Sequence, residues 1–201
     1  KVRIIAIAGP RKAGKDVLTD YILANYKGVR HLRIADAPML IAKILGLEAD
    51  RRIYHALFGV NKLLYPFIGE SAYKRRVAHI LDAEKPKLAI VEAIRTKEEY
   101  REFVEKRKGI LIGIVAEPQL RYERAVFDSK RAKEKRDEGQ MTFKEFVGHP
   151  KKETGEHSPI EREIQWILQR AHFIIKNDYK TKEPEYQATK EVLSQLGLKR
   201  K

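Results

Sequence analysis

Between the apolar run Arg3-Ile4-Ile5-Ala6-Ile7-Ala8 and a stretch whose apolar residues fall at 17, 18, 21, 22 and 24 lie eight residues, Gly9-Pro10-Arg11-Lys12-Ala13-Gly14-Lys15-Asp16. The run has the continuous, β-branched character of a strand covered on both faces, and the stretch has a helical period. The chain therefore turns from strand to helix within a short glycine-bearing loop. Such an opening is the first half of a right-handed crossover, and it calls for a parallel neighbour strand.

The loop itself has a chemistry. Glycine, four residues, then Gly-Lys is the spacing in which successive backbone N–H groups curl around a phosphate. The helix beginning near Gly14 aims its positive end at the same point. Backbone and side-chain donors of Gly9, Arg11, Lys12, Ala13, Gly14, Lys15, Asp16 and Val17 are thus the expected nucleotide-binding set. Lys15 is expected to bridge the β- and γ-phosphates of ATP. The competing interpretation is a glycine-containing turn with an incidental lysine. Asp16 stands where a hydroxyl usually coordinates Mg²⁺, and a carboxylate serves directly or through water. It also suits the first turn of a helix, whose dipole it complements.

Further along, strands are predicted at His31–Ala35, Lys87–Val91, Ile110–Val115 and Phe173–Ile175, with helices over Met39–Leu47 and within 50–83. Thr96 and Glu99 form a capping box, Glu117-Pro118 opens a helix, and Thr142 with Glu145 suggests a short one. Ser158-Pro159-Ile160-Glu161 is a complete helix start, and a closing helix over Glu185–Leu196 ends at Gly197. Strands alternating with helices predict a three-layer α/β fold, a mostly parallel sheet of about five strands with helices on both faces.

Composition sets limits. Hydrophobic residues at 43% and charged residues at 35% describe a globular chain. The run Ile110–Ala116 is too short to span a bilayer, and no signal peptide is expected. The chain lacks cysteine, which excludes disulfides and thiolate metal sites and agrees with a cytoplasmic location. Its six histidines, at 31, 55, 79, 149, 157 and 172, lack zinc-ligand spacing. A net charge of +14 suits anionic ligands, whether nucleic acid or phosphorylated small molecules. No helix-turn-helix, zinc-finger or RNP-like motif supports the first.

The Gly-Lys-Asp ending of Gly9–Asp16 resembles the P-loops of phage deoxynucleoside monophosphate kinase and animal phosphomevalonate kinase. Both belong to the nucleoside-monophosphate-kinase-like group, which also contains dephospho-CoA kinase. Leu32-Arg33-Ile34-Ala35-Asp36-Ala37-Pro38 is similar to that group's second strand and the turn into its acceptor-binding helices. Val91-Glu92-Ala93-Ile94-Arg95 is similar to its Asp-Gly-Ile-Arg element, with Glu92 for Asp and Ala93 for Gly. Val115-Ala116-Glu117-Pro118, with Arg121, Glu123 and Arg124, resembles the strand leading into its lid. Phe173-Ile174-Ile175-Lys176-Asn177-Asp178 resembles its last strand and Asn-Asp turn, which places Asn177 near the donor base.

The resemblance implies a single P-loop kinase domain over residues 1–201, with an acceptor-binding helical region at about 37–84 and a lid at about 124–157. Arg95, past the end of a buried strand, is the candidate for the acceptor's phosphate; otherwise it is a surface residue before a helix cap. Glu92 and Asp36 are rival acid–base candidates, Glu92 also for metal and Asp36 also for the acceptor, and each equally suits a turn. Arg124 and Arg131 are the lid arginines expected over the transferring phosphoryl, unless the charged stretch is a solvated helix. Trp166 lies on a helical stripe and is assigned to the core. The expected activity is Mg²⁺-dependent transfer from ATP to a nucleoside or deoxynucleoside monophosphate. A dephospho-CoA-like acceptor is the second reading, and a nucleic-acid-associated ATP-binding protein the third. No membrane partner is expected.

Overall fold

The computed structural model describes residues 2–47, 51–131, 142–148, 159–179 and 181–198. Among these, strands β1 (Arg3–Ala8), β2 (Val29–Arg33), β3 (Leu88–Ile94), β4 (Ile110–Val115) and β5 (Phe173–Lys176) form one sheet in the order β2-β3-β1-β4-β5. Every pairing is parallel. The central strand is the one that leads into the glycine loop. From it the chain crosses outward to β2 on one side, then returns through β3 to β4 and β5 on the other, an arrangement that opens a ligand crevice at the strands' carboxyl ends.

Helices cover both faces. On one, α1 (Lys15–Asn25) and α9 (Glu183–Gln195) pack Leu18, Ile22 and Leu193 onto Ile5, Ile7, Ile112 and Ile114. On the other, α4 (Ala72–Glu84) supplies Tyr73, Val77 and Leu81, and α5 (Lys97–Tyr100) continues into a π-helical turn, Arg101–Lys106, that supplies Phe103 and Val104. Ile167 of α8 (Pro159–Leu168) joins this second core. Trp166 packs beside it, edge-on to Tyr100 at 5.2 Å and beneath the Arg170 guanidinium at 3.8 Å, as its helical stripe predicted. The sheet is buried on both faces, which is why its strands read as unbroken apolar runs.

Helices α2 (Asp36–Ile44) and α3 (Arg51–Ile68) extend from the end of β2, and α6 (Pro118–Arg131) from the end of β4. A short α7 (Phe143–Gly148) lies against α6, with Phe143 and Phe146 each 5.7 Å from Tyr122. The Thr96–Glu99 capping box is fully formed. Boundaries differ from expectation by a few residues. The second helix starts at Asp36 because Pro38 sits in its first turn, and the last starts at Glu183 because Pro184 does the same. Much of the expected lid lies outside the described residues. No described helix is long and apolar enough to cross a membrane.

Candidate active site

The loop from Gly9 to Lys15 leaves the carboxyl end of β1 and closes onto α1. Gly9 approaches β4 so closely that any Cβ there would collide with the carbonyl of Ile114. Gly14, at φ 108, is the N-cap of α1 and has the buried Asn177 and Glu185 side chains directly against its α-carbon. Neither position admits another residue without displacement. Lys12 adopts φ 60, Ala13 N–H donates to the Pro10 carbonyl at 3.3 Å, and Val17 N–H to Gly14 at 2.9 Å. These bonds curl the loop and start the helix.

Lys15 is 9% exposed, and its Nζ donates to the carbonyls of Gly9 at 3.1 Å and Pro10 at 2.8 Å. Burial, then the positive charge of Arg95, brings its pKa down to about 8, with Arg121 acting the same way and Asp16 and Glu92 opposing. Two cations from other elements thus act on Lys15 at the loop, as do two carboxylates. Arg95 is exposed just beyond β3, its backbone N–H held by Glu99 at 2.7 Å. Asp16 is exposed in the first turn of α1.

Glu92 is buried at the end of β3, in register with Ile7 of β1 and Arg33 of β2. Its Oε2 accepts from His31 Nε2 at 2.6 Å and from the Thr19 hydroxyl at 3.5 Å. Burial alone would raise its carboxyl. The His31 hydrogen bond, with the charges of His31, Arg33 and Lys15, outweighs that and holds it below the ordinary range. Glu92 is therefore an ionised carboxylate beside the loop. His31 was not singled out from the sequence, where nothing separates it from five other histidines. The signal is the sheet order, which puts β2 beside β3 and His31 diagonally across from Glu92.

Ala93, next in the chain, has φ 67 and no partner on β1, where the register passes from Ile7↔Glu92 to Ala8↔Ile94. It is a bulge, with a left-handed conformation usually reserved for glycine.

Asp36 lies one strand further out, paired with Arg33 at 2.9 Å. These two border an open cleft of about 650 Å³ that is also lined by Met39, Leu40, Lys43 and Arg76. The cleft adjoins Glu92 through Arg33 but is separate from the glycine loop.

On the opposite side, α6 grips the loop from outside. Arg121 donates to the Arg11 carbonyl at 3.4 Å, and Lys12 Nζ pairs with Asp128 at 2.7 Å. Arg124 was expected to reach over a transferring phosphoryl. Its guanidinium instead donates to the carbonyls of Lys12 (3.3 Å), Ala13 (3.5 Å), Asn177 (3.0 Å) and Tyr179 (2.7 Å), and to Asn177 Oδ1 (3.1 Å). Asn177 likewise differs from its expected place beside a base. It is 2% exposed, its amide donating to the Ala13 carbonyl at 2.8 Å and to Glu185, so both of its N–H donors are engaged within the protein. Both side chains belong to the floor of the loop. The Arg131 side chain lies outside the described residues.

No protein-family model matches the sequence, and no curated protein does. Solved structures do match. Shikimate kinase from Bacteroides thetaiotaomicron shares 16% identity over 96% of this chain and 97% of its own, with a TM-score of 0.54. A protein from Thermus thermophilus gives 16% identity, the same coverage and a TM-score of 0.58. A sugar kinase from Janibacter gives 13% identity over 98% and 95%, with a TM-score of 0.52. The chain has the P-loop kinase fold. Within that fold, the glycine loop occupies the central strand–helix junction, and Glu92 and Arg95 stand at the end of the neighbouring strand.

Oxygen donors for a divalent cation are present in Asp16, Glu92 and Thr19, and Glu92 is ionised. No group of three His, Asp or Glu side chains that could hold a metal occurs among the described residues. That donor set suits Mg²⁺, which binds through one or two carboxylates and completes its shell with phosphate oxygens and water.

Proposed function

We propose that the protein is a kinase that transfers the γ-phosphoryl group of ATP to a small phosphorylated acceptor. The observation that carries this reading is the tight glycine loop between β1 and α1, with Lys15 buried in it on the Gly9 and Pro10 carbonyls and within the field of Arg95 and Arg121. A buried lysine whose charge is opposed by burial and by neighbouring arginines has a use once an anion of high charge sits beside it.

Donor phosphates lie along Gly9–Val17. Lys15 leaves the Gly9 and Pro10 carbonyls to bridge the β- and γ-phosphates, and binding restores its full charge. Asp16 and Glu92 would hold Mg²⁺, which neutralises charge on the phosphates. Arg95 grips the acceptor's existing phosphate, and the cleft bordered by Asp36 receives the rest of the acceptor. Arg131 is assigned to add positive charge over the transferring phosphoryl.

The role of Glu92 depends on the acceptor. A nucleoside or deoxynucleoside monophosphate, the favoured class, attacks through a phosphate oxygen that carries no proton, so Glu92 then orients and neutralises. A dephospho-CoA-like acceptor attacks through a hydroxyl, and its proton passes to Glu92, which stands nearer the loop than Asp36. Glu92→Gln separates these cases: turnover of a hydroxyl acceptor falls roughly a hundredfold or more and loses its pH dependence.

The test is a panel of nucleoside and deoxynucleoside monophosphates and hydroxyl-bearing phosphorylated compounds, each with Mg·ATP and the full chain, monitored by ADP release. At least one acceptor should stimulate ADP formation well above the acceptor-free rate. ATP binding without stimulation by any acceptor overturns the kinase reading, and no ATP binding overturns the nucleotide reading itself.

A further inference from the structure

Beneath the phosphate loop, on the side away from its opening, three side chains form a floor from elements far apart in sequence. Asn177, just past β5, donates its amide to Ala13 and to Glu185 of α9 and accepts from Arg124 of α6 through Oδ1. Arg124 also binds the backbone of Lys12 and Ala13. Glu185 is 1% exposed, and its Oε1 has no hydrogen-bond partner among the described residues. Both of its oxygens lie against Gly14, the first point of α1.

A buried carboxylate normally has a cation bonded to it. Glu185 has none among the described residues: its direct partner is the neutral amide of Asn177, and Arg124 directs its donors to carbonyl oxygens and to Asn177 Oδ1. A negative charge here would also sit under the N-terminus of α1 and cancel the potential that attracts phosphate.

We infer that Arg124, Asn177 and Glu185 are positioning residues that fix the shape of the phosphate loop and its affinity for an anionic donor, with Glu185 acting uncharged. The inference rests on the nucleotide-binding reading of the loop. The charged groups around Glu185 pull in opposite directions, and burial outweighs them. Burial lifts its pKa to about 8, helped by the negative charge of Asp16 and opposed by Arg124 and by Lys182 on its own helix.

The consequence is a donor affinity that depends on pH. If the tight-binding state holds the Glu185 proton, affinity is retained below about pH 8 and falls roughly tenfold per pH unit above it. Lys15 titrates in the same range, so the diagnostic quantity is the difference between wild type and Glu185→Gln, an uncharged side chain of the same shape.

Binding of a non-hydrolysable ATP analogue to the full chain, measured across pH 8, tests this. The Glu185→Gln variant should show a shallower alkaline loss than wild type. Asn177→Ala should weaken analogue binding roughly tenfold at every pH, with the loss in donor affinity and not in the acceptor's KM. A Glu185→Gln variant with the wild-type slope overturns the inference, as does an Asn177→Ala variant whose loss falls on the acceptor. Should Asn177→Ala fail to fold, Glu185→Gln decides alone. Wild type that binds no analogue at any pH overturns the nucleotide reading first, and this inference with it.

Discussion

The two sides of the central strand are built differently. Toward β4 and β5, the loop is held by Arg121, Arg124, Asn177 and Asp128, and Glu185 and Asn177 fill the space under Gly14. Toward β3 and β2, the cleft is open, and α2 and α3 leave Ile44 at 74%, Leu63 at 71% and Phe67 at 86% exposure. On one side protein groups fill the space around the loop; on the other a cleft stands open. A triphosphate presents the same atoms whatever base it carries, so a rigid nest costs no versatility. On the proposed reading, acceptor recognition, where members of one fold diverge, falls to this unfilled surface.

The sharpest way to break this comparison is on the donor side. Lys15→Ala should lower kcat roughly a hundred- to a thousandfold, because it removes a charge aimed at the transferring phosphoryl. Folding should survive, since among the described residues Lys15 bonds two loop carbonyls and no other element. Lys15→Met, which keeps most of the volume, should melt no lower than wild type near neutral pH. Burial depresses the pKa of Lys15, so the folded state disfavours its charge, and that penalty is present below about pH 8. Near-normal turnover in Lys15→Ala would remove the basis of the donor site.

On the open side, Arg95→Ala should reduce kcat/KM for the acceptor roughly a hundredfold, the effect of losing a charged contact worth about 2–3 kcal/mol. Arg95→Lys should recover part of it, since an ammonium lacks the planar fork. Arg76→Ala, in the cleft wall, should raise the acceptor's KM by less, about tenfold, and leave ATP binding alone. Kinetics with the two substrates varied independently would show it. Loss of donor affinity in Arg95→Ala would reverse the assignment of the two sides.

Asp16→Ala should flatten the magnesium response, raising the Mg²⁺ concentration for half-maximal rate roughly tenfold while metal-free nucleotide binds as before. An unchanged magnesium titration would leave Asp16 as an acid of the helix's first turn.

What the sequence showed and hid follows the same division. Gly9, Gly14 and Lys15 were legible because strand, loop and helix are contiguous and their spacing is a local pattern. The five strands were legible because a sheet buried on both faces is written as apolar runs. The floor was not legible: Asn177 and Glu185 meet Ala13 and Gly14 only after the whole chain has folded around β1. Asn177 and Arg124 were noticed, yet placed on the open side of the loop, because their types suit a base and a phosphate. The hydrogen bonds to Ala13, Lys12 and Glu185 that assign them to the floor have no local signature. His31 was missed for a related reason, since its tie to Glu92 exists only in the order β2-β3-β1.

The smallest effect concerns the joint between the two sides, the bulge at Ala93. A non-glycine residue in the left-handed region costs about 1–2 kcal/mol relative to its preferred conformations. Ala93→Gly removes that cost but frees the unfolded chain, so the net gain should be about 0.5–1 kcal/mol. For a chain of this length that is a rise of roughly 2 °C in Tm. Activity should stay within about twofold of wild type, because the bulge is not what aims Glu92. The Glu92 carboxylate is held by His31 at 2.6 Å and by Thr19, both on other elements. Thermal melting and kcat measured on the same preparation decide the matter. A gain in Tm with a large fall in kcat would show that the strained backbone, and not the His31 contact, keeps Glu92 in place. No gain in Tm would mean that neighbouring contacts already compensate the left-handed turn at Ala93.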